Sequence, residues 1–273
     1  MAYSDDMTAA AARDMAQLLP HANFLGLPFC LLASRDVLRL IVERGRAPYG
    51  YVVTPNAYHV VAAHDQPGSL LPIYRGAWLS LCDSRILRAL ARLDGRRLPL
   101  VTGSDLAADL LAALDGCAEL ATVRRLLIVG PARSAEPALR AAYPRLALEV
   151  MPAQAELAQH PARRLAVAQQ CLARQAGDRP WDILLLCVGC PAQEQIAMLL
   201  AELGCRNGTA LCVGAAVDFL SGVRVRAPRW VQQLALEWAY RLLQEPTRLW
   251  RRYLLESPRI LHIFMRQRAA RSR

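Results

Sequence analysis

The chain has 273 residues, 54% of them hydrophobic, so it can bury one substantial core with a small appendage but not two large independent domains. Its formal net charge is +10, and arginine alone carries the positive charge because the chain contains no lysine. We expect a cytoplasmic protein, because the acidic N-terminus lacks the basic and apolar regions of a secretion signal. A membrane-spanning helix is excluded, because no segment reaches ~18 uninterrupted apolar residues.

The predicted elements alternate between strands and helices along the chain. The first part has an apolar run at 24–32, a helix at 34–45 and a strand at 49–56. Strands follow at 124–130, 146–152, 181–190 and 209–220, separated by helical patterns at 134–143, 155–175 and 191–204. These strands are apolar on both faces, which is typical of a parallel sheet that helices cover on both sides. The sequence therefore predicts an α/β fold with a Rossmann-like core.

The eight cysteines lie mostly inside apolar runs, which is typical of buried thiols in a reducing compartment. Cys187 and Cys190 form one C-x-x-C pair, but no second pair or histidine pair follows at zinc spacing. We therefore interpret both cysteines as packing residues, and we predict neither a metal site nor a cofactor.

Polar residues follow several predicted strands, where ligands bind in parallel α/β sheets. They lie at 54–56, 82–84, 102–105, 130–134 and 189–194. Each cluster alone also fits a structural role, such as Ser104 as a helix cap or Glu194 as a favourable acid in a first helical turn. Together they place one carboxylate, Asp83, and several amide and hydroxyl groups on a single predicted rim. Spacing alone leaves Asp83 equally suited to capping the helix that follows it.

The positive charge is concentrated at the C-terminus, since residues 223–273 carry twelve arginines against three glutamates. Arginines mixed with Trp230, Trp238, Trp250 and Tyr253 favour a helical segment that lies on an anionic membrane surface. Alternatively, Trp238 and neighbouring leucines pack into the core. Nucleic-acid binding ranks lower, because the aromatic residues are helix-spaced and mixed with leucines. We divide the chain into a core at 1–222 and a helical appendage at 223–273.

Several motifs follow one another in an ordered series. They are TPN (54–56), an isolated Asp83, TGSDL (102–106), VGCPAQE (188–194), VGAAVDFLSG (213–222), RAPRW (226–230) and LEWAYRLLQEPTRLWRRYL (236–254). The series resembles the WecG/TagA/CpsF family of bacterial glycosyltransferases, also called glycosyltransferase family 26, over about residues 24–254. The resemblance implies an α/β fold and inverting transfer of a sugar from a UDP-sugar onto a polyprenyl-diphosphate-linked acceptor, for a bacterial exopolysaccharide or other cell-surface polymer.

The resemblance also implies a peripheral protein at the inner face of the cytoplasmic membrane, whose C-terminal appendage completes the active site. No nucleic-acid partner is expected, and formation of a homo-oligomer is left open. An inverting transfer needs a base for the acceptor hydroxyl, and the resemblance favours Asp83 in that role. Because the sequence has no D-x-D motif, we expect arginines rather than a metal to neutralise the departing diphosphate. The predicted substrate-binding residues are Thr54, Asn56, Gly103, Asp105, Gln193, Glu194, Arg224, Arg226 and Arg229.

Three positions depart from the family pattern. Ser84 stands where the family usually has glycine, Ala192 where it has lysine, and Leu100 where it commonly has arginine. These changes keep a second function open: a non-catalytic relative that binds a sugar nucleotide, or a scaffold in a polysaccharide-assembly complex. The identity of the transferred sugar is not encoded in any of these motifs.

Overall fold

The computed structural model describes residues 19–44, 47–130, 134–152, 156–223 and 225–271, with the backbone alone at 121–123. The first described element is a hairpin of β1 (His21–Phe24) and β2 (Leu27–Cys30), which pair antiparallel as a separate two-stranded sheet. Leu25 and Gly26 both have positive φ, 50° and 84°, which a two-residue hairpin turn requires. The apolar run at 24–32 is therefore not one continuous element, because β1 ends at Phe24 and the chain reverses there.

The main sheet has six parallel strands in the order β4-β3-β8-β7-β5-β6. Their bounds are β3 (Gly50–Val53), β4 (Leu79–Ser80), β5 (Arg125–Val129), β6 (Ala147–Met151), β7 (Ile183–Leu186) and β8 (Thr209–Cys212). Successive side chains point to opposite faces, so Ile183 and Leu185 enter one apolar layer while Leu184 and Leu186 enter the other. The predicted parallel α/β sheet with a core on both faces is confirmed.

The helices of the core are α1 (Ser34–Arg44), α2 (Ala57–Asp65), α3 (Pro67–Gly76), α4 (Arg85–Leu93), α5 (Gly103–Gly116), α6 (Ala118–Val123), α7 (Ala135–Ala142), α8 (Pro161–Ala176), α9 (Ala192–Glu202) and α10 (Ala216–Leu220). Helices α2, α3, α4, α8 and α9 pack on one face of the sheet, and α1, α5, α7 and α10 on the other. The strand predicted at 209–220 is too long, because the chain turns at Gly214 with φ of 59° and continues as α10.

The C-terminal segment is a series of short helices. They are α11 (Arg229–Gln233), α12 (Glu237–Gln244), α13 (Pro246–Trp250), a π-helix (Arg251–Glu256) and α14 (Arg259–Arg271). Helix α14 joins the core through Ile260 and Phe264, whose ring meets that of Phe24 edge-on at 6.3 Å. By contrast, Trp230 and Trp250 are exposed, and Trp238 is only half-buried, so the interpretation of Trp238 as a core residue was wrong. Within the described residues, none of the helices combines the length and apolarity needed to cross a membrane.

Candidate active site

A cleft of about 780 Å³ lies at the carboxyl ends of β3, β4, β7 and β8. This is the edge where connecting loops and helix N-termini converge in a parallel sheet, so ligand-binding side chains gather there. The outer wall of the cleft comes from α12, α13, the π-helix and α14, which contribute the lining residues Glu237, Trp238, Arg248, Arg252 and Leu261. The sheet edge and the C-terminal segment therefore line the same cleft.

Asp83 lines this cleft just after β4, and its backbone N–H donates to the carbonyl of Pro55 at 3.1 Å. The neighbouring Ser84 caps α4, because its hydroxyl accepts from the backbone N–H of Leu87 at 3.1 Å. The capping role considered for Asp83 therefore belongs to Ser84. The carboxyl of Asp83 does not cap α4 and instead lies in the cleft.

The pKa of Asp83 is raised to about 7, first by burial and then by the negative charge of Glu237. A hydrogen bond from the backbone of Gly103 and the charge of Arg241 act in the opposite direction. A carboxylate with a pKa near neutrality is more basic than an ordinary aspartate and is half-ionised at working pH. This raised pKa is compatible with a role as a general base.

Gly103 begins α5 and brings that helix against the sheet edge. A Cβ at this position would lie 3.1 Å from Oγ1 of Thr54 and 3.2 Å from Cα of Val213, so any side chain would force the elements apart. Thr54 is buried, and its Oγ1 donates to the carbonyl of Cys212 at 2.8 Å. Gly103 and Thr54 thus fix the spacing of α5, β3 and β8 beneath Asp83.

Asn56 caps α2, because its side-chain oxygen accepts from the backbone N–H of Tyr58 at 3.0 Å and of His59 at 3.4 Å. His59 completes the capping box by accepting the backbone N–H of Asn56 at its Nδ1, at 3.2 Å. The cap occupies the oxygen of Asn56, so only its amide nitrogen can serve a ligand in the cleft.

Gln193 and Glu194 lie in the first turn of α9 and are almost fully buried. The Gln193 side chain accepts from the backbone N–H of Gly214 at 3.0 Å and donates to Glu194 at 2.9 Å. Glu194 in turn lies 3.4 Å from Nε2 of His59. A continuous polar chain therefore joins the ends of β3, β7 and β8, with Gln193 lining the cleft and Glu194 behind it.

His59, Cys190 and Glu194 also place three potential metal ligands within 4.8 Å of one another. The capping box argues against coordination there. Nδ1 of His59 accepts a hydrogen bond from the backbone N–H of Asn56, so the ring proton lies on Nε2, which faces Glu194. A metal-bound histidine instead donates from its other nitrogen. Burial also raises the pKa of Cys190, which opposes the thiolate that a metal needs. The geometry favours a hydrogen-bonded network over a metal site.

We expect Glu194→Ala to reduce the free energy of unfolding by roughly 1–3 kcal/mol at pH 7, because it leaves the buried Gln193 amide and His59 ring without their acceptor. Burial alone would raise the pKa of Glu194, but hydrogen bonds from His59 and Gln193 lower it overall. This contribution to stability is therefore present above the unfolded-state pKa and is lost as pH falls through the lowered folded pKa.

Urea denaturation at pH 7 and at a series of values from about pH 5 down to about pH 3 measures this effect. Glu202→Ala, at the exposed end of the same helix, serves as the matched control and should change stability by less than about 0.5 kcal/mol. Equal losses in the two variants at pH 7 would show that the polar chain contributes nothing specific.

Arg226 reaches the cleft from the C-terminal segment. Its Nη1 lies 2.6 Å from Oδ1 of Asp105, and Oδ2 of Asp105 accepts from the Thr102 hydroxyl at 2.7 Å. Asp105 itself does not line the cleft, so it acts on Arg226 rather than on a ligand. Its pKa is raised by burial but lowered overall by the bonds from Arg226 and Thr102, which keeps the pair ionised.

The other two predicted arginines differ from Arg226. Arg224 lies outside the described residues. Arg229 begins α11, is exposed, and is not among the residues that line the cleft.

Four cleft arginines were not assigned to the active site from sequence: Arg85, Arg241, Arg248 and Arg252. The guanidinium carbon of Arg252 lies 4.3 Å from the ring centre of Tyr58, which orients its charge over α2. Arg241 lies 5.8 Å from the Phe219 ring centre. Helical spacing does not link Arg241 to Arg248 and Arg252, because α12 ends at Gln244 and a new helix begins at Pro246. The available sequence signal for these three was the arginine-rich composition of the C-terminal segment.

An ionisable carboxylate and several guanidinium groups thus face one cleft at the carboxyl edge of a parallel sheet. This defines an α/β protein whose cleft presents a carboxylate that could accept a proton and guanidinium groups that suit an anionic ligand. The model of the glycosyl transferase WecG/TagA/CpsF family matches residues 22–273, nearly the whole chain. The chain belongs to this family of glycosyltransferases, and the resemblance found in the motifs is confirmed.

Proposed function

We propose that this glycosyltransferase transfers a sugar, with inversion, from a UDP-sugar onto a polyprenyl-diphosphate-linked acceptor in the synthesis of a bacterial exopolysaccharide or cell-surface polymer. The observation that carries the proposal is Asp83, a cleft carboxylate with a pKa near 7. As the acceptor hydroxyl attacks the anomeric carbon, its proton passes to Asp83 while the bond from that carbon to the diphosphate oxygen breaks.

The departing UDP develops negative charge on its diphosphate. Arg226, Arg241 and Arg252 line the same cleft and are the proposed charge-stabilising groups. Arg224, which also belongs to the basic segment, remains a proposed contributor to substrate binding, whereas Arg229 is no longer proposed because it does not line the cleft. The division into a core at 1–222 and an appendage at 223–273 is proposed on the same ground, since the appendage supplies these guanidinium groups.

The remaining predicted residues have supporting roles in this proposal. Thr54, Asn56 and Gln193 line the cleft and orient the sugar and acceptor by hydrogen bonds. Gly103 donates its backbone N–H to Asp83. Asp105 and Glu194 act one step further away, by holding Arg226 and Gln193 in place.

The proposed location is the inner face of the cytoplasmic membrane, because a polyprenyl acceptor is confined to lipid. Exposed apolar side chains in the appendage support this location, among them Trp230, Leu243, Trp250 and Leu255. Indole rings and arginines together are typical of segments at the head-group level of a membrane.

Thermal stabilisation by a panel of UDP-sugars identifies the donor, since a ligand that binds only the folded state raises the melting temperature. Transfer of label from that donor to a polyprenyl-diphosphate-linked saccharide then tests the reaction. Stabilisation without transfer to any acceptor would instead support the non-catalytic sugar-nucleotide-binding alternative. If no UDP-sugar stabilises the protein and no transfer is detected, the proposed function is wrong.

We expect transfer activity to persist in excess chelator, because guanidinium groups and backbone amides are proposed to carry the diphosphate charge. The measurement compares initial rates with and without EDTA after the protein has been dialysed against it. Loss of activity that a divalent cation restores would show that the diphosphate is bound through a metal ion.

We also expect the transfer rate to rise with pH through about 7, because the base acts only when deprotonated and the pKa of Asp83 is about 7. The rate should level off above about pH 8. A profile measured from about pH 5.5 to 8.5 tests this, and a rate that is constant across that range would assign the base to another group.

A further inference from the structure

Helix α4 carries an unusual combination of side chains on its outer surface. Ile86 and Leu93 are 39% and 65% exposed, and Ala89 between them is also exposed. Their spacing of three and four residues puts them in one stripe along the helix. Arg88 and Arg92 lie beside this stripe. An apolar stripe flanked by arginines is the pattern of a helix that lies in a membrane interface.

A second cavity lies at the C-terminal end of α4 and is separate from the active-site cleft. Its lining has four arginines, Arg88, Arg92, Arg96 and Arg97, and no carboxylate. Burial and the like charges of Arg92 and Arg85 lower the pKa of Arg88. An anion in this cavity would therefore relieve repulsion that the protein alone leaves uncompensated.

Asp94, which directly precedes the lining residue Gly95, is already paired with arginines. Asp94 pairs with Arg96 at 2.9 Å and with Arg271, at the end of α14, at 2.6 Å. The ion pairs found among the described residues do not include Arg88, Arg92 or Arg97, so these three charges are available to an outside partner.

Helix α14 continues the same surface. It packs on the same apolar layer as α4, and the pair of Arg271 with Asp94 joins the ends of the two helices. It exposes Leu261 and Met265, at 53% and 61%, next to the exposed Arg266 and Arg268. Ile86 and Leu261 both line the active-site cleft, so this face adjoins the cleft mouth.

We propose that the α4–α14 face docks on an anionic lipid surface, and that the cavity of Arg88, Arg92 and Arg97 holds a lipid head-group phosphate. This inference rests on the proposed function in one respect: a lipid-linked acceptor requires the cleft mouth to face the membrane. The exposed apolar residues favour lipid over nucleic acid, because Leu93, Leu261 and Met265 leave water only when they enter an apolar phase. Docking by this face brings the cleft mouth to the membrane surface.

The test is flotation of the full-length protein with vesicles of phosphatidylcholine, with and without phosphatidylglycerol. The variant Arg88→Gln/Arg92→Gln keeps much of each side-chain stem, and it removes like charges, so its melting temperature should not fall. We expect its affinity for the anionic vesicles to fall at least about tenfold, since each basic residue near such a surface contributes about fivefold.

The matched control is Arg35→Gln/Arg179→Gln, which removes the same charge from exposed positions on α1 and in the loop before β7. It should lose less than about twofold, because charges farther than a Debye length from the surface are screened. Equal losses of vesicle affinity in the two variants would mean that net charge alone causes the effect, and they would overturn the proposed head-group site. Leu93→Ser/Met265→Ser should weaken the binding that survives high salt, and unchanged binding would overturn the apolar part.

Two further measurements separate this site from its alternatives and from the transfer reaction. Inorganic phosphate that stabilises only the unchanged protein, together with equal flotation of all variants, would indicate a free-anion site and overturn lipid docking. Lipid docking would also be overturned if Arg88→Gln/Arg92→Gln lost binding to a DNA oligonucleotide but kept its binding to vesicles. Flotation requires no turnover, so it remains decisive if the transfer reaction is not found. Where transfer occurs, Arg88→Gln/Arg92→Gln should lower it for vesicle-borne acceptor and not for a water-soluble short-chain acceptor.

Discussion

Asp83→Asn is expected to lower the rate of sugar transfer on the order of 10²-fold or more while keeping donor affinity, because it preserves size and removes the proton acceptor. Single-turnover rates and donor binding, measured separately, distinguish lost chemistry from lost binding. Asp109→Asn, at an exposed position on α5, is the matched control and should retain full activity. A near-normal rate in the Asp83 variant would place the base elsewhere.

The same substitution should also raise stability at alkaline pH. The folded-state pKa of Asp83, about 7, lies above the ordinary value of 3.8, so ionisation of this carboxyl opposes folding. The opposing effect is absent below about pH 4, grows as pH rises and is complete above about pH 7. We therefore expect the melting temperature of Asp83→Asn to equal that of the unchanged protein at about pH 4 and to exceed it at about pH 8. The opposite order would mean that the ionised carboxylate is stabilised in the fold.

Arg252→Gln and Arg226→Gln are each expected to lower the transfer rate about 10²-fold, because each removes a charge from the groups proposed to meet the departing diphosphate. The effect should fall mainly on the chemical step, since this charge develops in the transition state. Single-turnover kinetics with saturating donor measures it. Arg229→Gln is the informative comparison: Arg229 was predicted from the RAPRW motif but does not line the cleft.

We expect Arg229→Gln to lower the rate less than about threefold, in line with an exposed charge. A loss of rate as large as that of Arg252→Gln would indicate that the segment at 226–230, including Arg229, binds the diphosphate. Deleting all residues after Gly222 is a poorer experiment, because it also uncovers Phe24, which packs against Phe264. Loss of activity in that deletion would not separate a missing arginine from a damaged core.

The sequence by itself determined five of the six strands of the main sheet and the helices between the strands from residue 124 onward, whereas β4 and the helices α2, α3, α5 and α6 were not predicted. Continuous apolar runs predict buried strands because both faces of a parallel sheet are covered, and this holds for the strands centred on Ile128 and Leu185. It did not determine where two of these runs end. The hairpin turn at Leu25 and the turn at Gly214 depend on backbone conformations that hydrophobic periodicity does not encode.

The motifs located the candidate site at the carboxyl ends of the strands, but only the tertiary structure decided how its residues divide the work. Asp105 and Arg226 are 121 residues apart in the chain, yet their side chains meet at 2.6 Å. The pKa of Asp83 is likewise set by burial and by Glu237, and the second of these comes from the distant C-terminal segment. Local patterns report the period of a helix or strand, whereas desolvation and charge pairing depend on which distant residues the folded chain brings within a few ångströms.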